Sequence, residues 1–294
     1  MRRGVRARVR PRGVVAGLAL CVAASACGPD AEVAEKVVEQ GLDRVATASV
    51  EPVCAMPDGF LGNVPGEVAP FEFYSTQWVT GPEGADVQLG VGHLHYSDRN
   101  SAVAEPPGRD AWFQHVSLPL SREAGETPFA WIARGWVVDG TSEPEPLSLE
   151  ALVETGYEDP SFVVLEARED GWLLIRYGTD ESEALSAWTP TCALAEGDIV
   201  LDYEEWGARL ISDQISPLFF RVETPGALLA GASESADVLP PIAQDYALEP
   251  LEIDGEWMRV RVKEPSDYCE FDLEVSSRDG WIRWHAPDVG PTVW

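Results

Sequence analysis

The amino-acid sequence predicts a mainly β protein assembled from repeated small units, and three observations predict it. Its apolar runs are short and bounded by Gly, Pro, Asp and Ser clusters: "WVVDG" from Trp136, "FVVLEA" from Phe162, "WLLIRY" from Trp172 and "WMRVRV" from Trp257. An Asp-Gly turn leading into a tryptophan strand occurs twice, as "DGWLLIRYG" (Asp170–Gly178) and "DGEWMRVRV" (Asp254–Val262). Six of the eleven tryptophans fall on one spacing scheme. Val137 and Val222 each stand 35 residues before Trp172 and Trp257, a tyrosine follows (Tyr157, Tyr246), and a second tryptophan closes each copy (Trp188, Trp281). A fainter first copy has Val79, Tyr96, Trp112 and Trp131.

In chain order, the N-terminus carries six arginines (Arg2, Arg3, Arg6, Arg8, Arg10, Arg12) ahead of an uncharged stretch from Gly13 to Ala26. That stretch is too short to span a bilayer and has the length of a signal-peptide apolar region. It ends "ASAC", small residues before Cys27. This resembles the lipobox of bacterial lipoproteins, which implies that residues 1–26 are a signal peptide and that Cys27 is acylated as the mature N-terminus. Plain secretion with cleavage after Ala26 is the other reading. Either one exports the chain to a periplasmic or cell-surface location, and acylation gives it a membrane partner through the lipid. Losing six arginines and no acid moves the formal net charge from −29 to −35. A chain this acidic is not a nucleic-acid binder.

Residues 27–69 are expected to be a tether. Val33, Val37, Val38, Leu42 and Val45 share one face of a short helix over Ala31–Ala46, and Pro52, Pro57, Pro65 and Pro70 punctuate the rest. The repeats then divide as 70–133 (degenerate), 134–196 and 217–294. A linker at 197–216 includes a helical interruption over Tyr203–Ile211. The last unit is expected to hold a self-contained core. Of the mature cysteines, Cys54, Cys192 and Cys269 permit one disulfide in an oxidising compartment, with three pairings open.

Strand alternation sorts the hairpin faces. Met258, Val260 and Val262 share one side and Leu173, Ile175 and Tyr177 its counterpart, which makes these the core. Trp257 lies with Arg259 and Arg261, and Trp172 with Leu174 and Arg176, on a half-wet side where indole and guanidinium can stack. There Trp172, Trp188, Trp257, Trp281, Tyr157 and Tyr246 either cover a sheet against a neighbour or line a groove for a ligand.

The motifs "EDGWLLIRY" with "AWTP", and "DGEWMRVRV" with "DGWIRW", resemble those of the bacterial Src-homology-3-like domain, a turn with a tryptophan strand followed by a Gly-Trp strand. The resemblance implies two or three tandem small β-barrels, and recognition of cell-wall peptides or partner proteins. Long acidic inserts, "GTDESEALSA" and "KEPSDYCEFDLEVSSRD", replace the family's tight turn between those strands.

No Gly-x-Ser-x-Gly elbow, phosphate loop or Cys-x-x-Cys motif occurs, and no cofactor is implied. "HLH" places His93 and His95 on one strand face at chelating spacing, and His115 is the candidate third ligand from an adjacent strand. The sequence therefore predicts a non-catalytic envelope binding or scaffolding protein, with a metal-dependent hydrolase centred on these histidines as the alternative.

Overall fold

The computed structural model describes residues 51–58, 60, 87–102, 112–147, 152–156, 159–180, 183–212, 217–221, 226–243, 246–264 and 276–294. Ser49–Trp294 is one compact unit. The leader, Cys27 and the expected tether helix belong to a separate unit, Met1–Ala48, which lies outside the described residues. Val79, Tyr157, Val222 and Cys269 also lie outside the described residues. None of the described helices is long and apolar enough to cross a membrane.

The protein is mainly β, in small antiparallel sheets. The largest takes β1 (Gly92–Tyr96), β6 (Leu152–Gly156), β7 (Asp159–Ala167), β8 (Trp172–Asp180), β9 (Glu183–Pro190) and β10 (Leu201–Glu205), in the order β10-β1-β7-β8-β9 with β6 also on β7. A four-stranded meander holds β2 (Ser117–Leu120), β3 (Ala130–Ala133), β4 (Trp136–Val138) and β5 (Glu145–Pro146). A third sheet holds β11 (Ala247–Asp254), β12 (Trp257–Glu264) and β13 (Ser276–Arg283), and β14 (His285–Ala286) pairs with β15 (Gly290–Pro291). No sheet closes into a barrel among the described residues.

The large sheet is a wall between two cores, because its side chains alternate. Leu94, Leu152, Phe162, Val164, Leu173 and Ile175 face the first core with Leu118, Leu120 and Ile132 of the meander. Val153 and Val163 face the second, with Leu218, Leu248, Met258, Val260, Val262 and Ile282. The expected unit boundaries therefore cut through packed structure. The 133/134 boundary falls inside the β3–β4 hairpin, where Ala133 pairs Trp136. Arg134 (φ 52°) and Gly135 (φ 79°) between them form the mirror-image two-residue turn that suits strand twist. Trp112, read as the first unit's tryptophan strand, sits fully buried in a short 3-10 helix, its Nε1 donating to the Pro160 carbonyl at 2.9 Å.

The expected linker is structural too. β10 pairs along β1 from Gly92↔Glu205 to Tyr96↔Leu201, so Tyr203–Glu205 are strand rather than helix. Alternation explains this, since Leu201 and Tyr203 pack on the first core while Asp202 and Glu204 point away. The helix α1 (Trp206–Ile211) follows, with Trp206 and Leu210 in the second core. Trp206 Nε1 donates to the Leu89 carbonyl at 2.8 Å, and its ring meets Trp294 edge-on at 5.1 Å. The last unit's core is consequently shared with Leu89, Val163 and Trp206 rather than self-contained.

Candidate functional site

In the third sheet the β11–β12 turn is two residues, with Gly255 at φ 58° where such a turn demands glycine. It sets the register, and the register sets the faces. Met258, Val260 and Val262 are wholly buried. On the other side β12 presents Trp257, Arg259, Arg261 and Lys263. Opposite them on β13 stand Arg283, Trp281, Asp279 and Ser277, and on β11 Asp254, Glu252, Glu249 and Ala247. The outer face is thus a grid with a cationic middle strand.

Its charges are largely satisfied within the grid. Arg259 lies 3.5 Å from both Glu252 and Asp279. Arg261 Nε donates to Asp279 at 3.0 Å, and Lys263 Nζ lies 2.9 Å from Glu249. Arg283 pairs with Glu234 and Glu256. The hydrogen bond from Arg261 holds the Asp279 carboxyl below its ordinary range. The two indoles, Trp257 and Trp281, are half-buried on this face, less covered than Trp172 and Trp188. They are diagonal across the β12–β13 pair, a spacing of about 7–8 Å in antiparallel sheets and within reach of aromatic side chains. Among the described residues of this face, the charged side chains Arg259, Arg261, Lys263 and Arg283 each lie within ion-pair distance of a carboxylate. The arrangement is suited to binding.

The second copy of the hairpin is different. Trp172 and Trp188 are buried, at 8% and 9% exposure. Trp188 exchanges two backbone hydrogen bonds with Ser121 at the end of the meander, and the Arg168 guanidinium lies 5.5 Å over its ring. Arg176, on the Trp172 side, is buried and donates to the Gln88 carbonyl. These two tryptophans are packed within the body. Tyr246 is half-buried against the second core. The other groove candidate, Tyr157, lies outside the described residues.

The histidines do not assemble as the sequence suggested. β1 runs between β7 and β10, whereas His115 ends the 3-10 helix before β2. Among the described residues no group of three or more His, Cys, Asp or Glu is arranged to hold a metal ion. His93 and His95 do share a face, with ring centroids 5.1 Å apart. His93 is buried against Trp206 at 4.6 Å, and its Nε2 lies 3.3 Å from Glu204. Burial, with smaller contributions from His95 and Arg209, pushes its pKa down to about 2, so the ring is neutral. Across the sheet from His95 is Asp202. Burial opposes its ionisation, but hydrogen bonds from Ser97 and Arg99 outweigh that and hold its carboxyl low.

No protein-family model matches the chain, and neither a curated protein nor a solved structure matches it. The site therefore stands on its own geometry.

Two features escaped the sequence. The disulfide joins Cys54 to Cys192, across a separation of 138 residues. Arg221 is buried, and burial lowers its pKa to about 10; it donates to the carbonyls of Pro291 and Val87, tying the two ends of the second core together. A lone arginine among apolar residues gives no sequence signal for such a bolt.

Proposed function

We propose that the protein is an exported, lipid-anchored binding or scaffolding component of the cell envelope, with the Trp257–Trp281 face as its recognition surface. One observation carries the recognition half: two half-buried indoles lie diagonally on a sheet whose charges already have partners. Aromatic side chains set among arginines are the composition of binding hot spots. The already-paired grid also means that docking strands few charges. Its ligand class is a cell-wall peptide or an envelope protein, as the resemblance of the hairpin motifs implies.

Export and anchoring are supported by the arginine-rich leader and "ASAC". The Cys54–Cys192 disulfide is the usage expected of an oxidising compartment. Acylation of Cys27 would add two chains, enough for stable membrane residence.

The test has two arms. A fatty-acid probe fed to cells should label the wild type but not Cys27→Ser, and the variant should move to the soluble fraction; equal labelling of both would remove the anchor. On purified peptidoglycan and in envelope pull-downs, Trp257→Ala/Trp281→Ala should lose most retention while Trp172→Ala, corrected for folded fraction, keeps it. Retention carried equally by all of them would remove the recognition face.

A further inference from the structure

The outer face of the meander is apolar, and it belongs to neither core. Register places Pro119, Trp131 and Val138 side by side across β2, β3 and β4, pointing away from the first core that Leu118 and Ile132 enter. A three-residue apolar row on a solvent side is unusual for a soluble sheet. Here it is buried: Trp131 is 3% exposed and Val138 2%.

Phe60 packs on this face. Its ring centroid lies 6.2 Å from that of Trp131, and its ring edge stands 3.4 Å from where a Cβ at Gly140 would be. Residues 51–58 lead up to it and are held differently from the rest of the body. Among the described residues, no backbone hydrogen bond joins residues 51–58 or Phe60 to any strand; Phe60 N donates to the Pro57 carbonyl at 3.1 Å. What fastens them is covalent. Cys54 is bonded to Cys192, in the 3-10 helix Thr191–Ala195 that follows β9, and Cys192 is exposed.

We propose that Glu51–Phe60 is a redox-released strap, clamped by the Cys54–Cys192 disulfide over the apolar outer face of the meander and freed when a dithiol reduces that bond. The chemistry is thiol–disulfide exchange. A thiolate of the reductant attacks Sγ of Cys192, the exposed sulfur, forming a mixed disulfide as Cys54 leaves as a thiolate. The second thiol of the reductant then displaces Cys192 and closes its own disulfide. Two electrons pass to the protein, and two protons at the cysteines complete the thiols. The co-reactant class is a dithiol, such as an exported oxidoreductase. Among the described residues the strap has a ring contact and one covalent bond but no ladder, so opening it breaks no described strand pairing, and the face of Trp131 that Phe60 covers becomes a new apolar surface. This proposal is independent of the recognition face and does not need the lipid anchor.

The test uses the purified full chain with Cys21→Ser, Cys27→Ser and Cys269→Ser, so that Cys54–Cys192 exchange is not complicated by any other thiol. Under native conditions dithiothreitol should render the Cys54 and Cys192 peptides alkylatable. Glutamyl endopeptidase should then cut after Asp58 at least about tenfold faster, because cleavage follows the open population. An environment-sensitive apolar dye should brighten, while the far-UV spectrum and a cooperative melt persist. Phe60→Ala in the oxidised protein should raise dye binding without raising cleavage, which separates cover from clamp. Three results would overturn the proposal. One is a disulfide that yields to dithiol only as the whole body unfolds. Another is loss of the cooperative melt on reduction, which makes the bond a staple of the entire fold. The third is unchanged cleavage and dye binding after both cysteines are alkylated.

Discussion

The hairpins β7–β8 and β11–β12 share an Asp-Gly turn, a tryptophan and the same inward alternation, yet their outer faces have different fates. Beyond β8, strand β9 meets the end of the meander through Ser121, and Trp188 is buried in that junction. Beyond β12, strand β13 meets a loop, with Trp281 and Leu229 exchanging two backbone hydrogen bonds, and Trp257 and Trp281 stay half-buried. The same local pattern therefore builds an antiparallel hairpin in both places, with a two-residue turn before Trp257 and a longer one before Trp172. What neighbours it decides whether a tryptophan is packing or site.

That comparison can be broken most severely by removing the shared wall. A fragment of residues 217–294 lacks Leu89, Val163 and Trp206 of its own core. It should give no cooperative melt and poorly dispersed amide resonances, whereas the body beginning at Ser49 melts cooperatively. A well-folded fragment would make the third sheet an independent domain after all.

Next in size, Trp188→Ala should cost about 3–5 kcal/mol, the range for emptying a buried aromatic site. Trp257→Ala should cost clearly less, because part of its ring is already in water. Chemical denaturation of the two variants checks this, and equal losses would erase the distinction between the faces.

Acid should act on the wall rather than on either hairpin. The folded pKa of His93 is lowered to about 2 from an ordinary 6.5. Between those values the unfolded chain binds a proton that the folded chain refuses. Stability is therefore fully present above about pH 6.5 and falls as pH drops below it, by up to about 1.4 kcal/mol per pH unit from this group. Denaturation series from pH 7 to pH 4.5 should show that slope in the wild type and a shallower one in His93→Gln. Identical slopes would mean that His93 takes its proton without opening the wall.

The smallest effect belongs to the grid. Asp279→Asn removes a carboxylate shared by Arg259 and Arg261 on an exposed face. Exposed ion pairs are worth about 0.2–1 kcal/mol, so the melt should barely move. A loss of several kcal/mol would show the grid to be structural rather than a preassembled surface.

Alternation made the inward faces legible: Met258, Val260, Val262, Leu173 and Ile175 are buried as period-2 reading requires. It also placed His93 and His95 on one face. It could not say which strands become neighbours. β1 lies between β7 and β10, segments roughly 70 and 110 residues further along the chain, and such pairing is fixed by whole-core packing that no local window contains. For that reason local pattern suggests separate barrels, gives no sign that His115 lies apart from His93 and His95, and shows no preference of Cys192 for Cys54. The exposure of each tryptophan is a tertiary property that its spacing does not carry.

The most direct measurement of the open-versus-covered distinction is the ¹⁹F NMR spectrum of the chain labelled with 5-fluorotryptophan, assigned by single Trp→Phe variants and recorded with a soluble gadolinium chelate. The signals of Trp257 and Trp281 should broaden strongly, while those of Trp172 and Trp188 stay sharp. If all four broaden alike, or Trp257 and Trp281 are the protected pair, the third sheet offers no open face and the proposed recognition surface is contradicted.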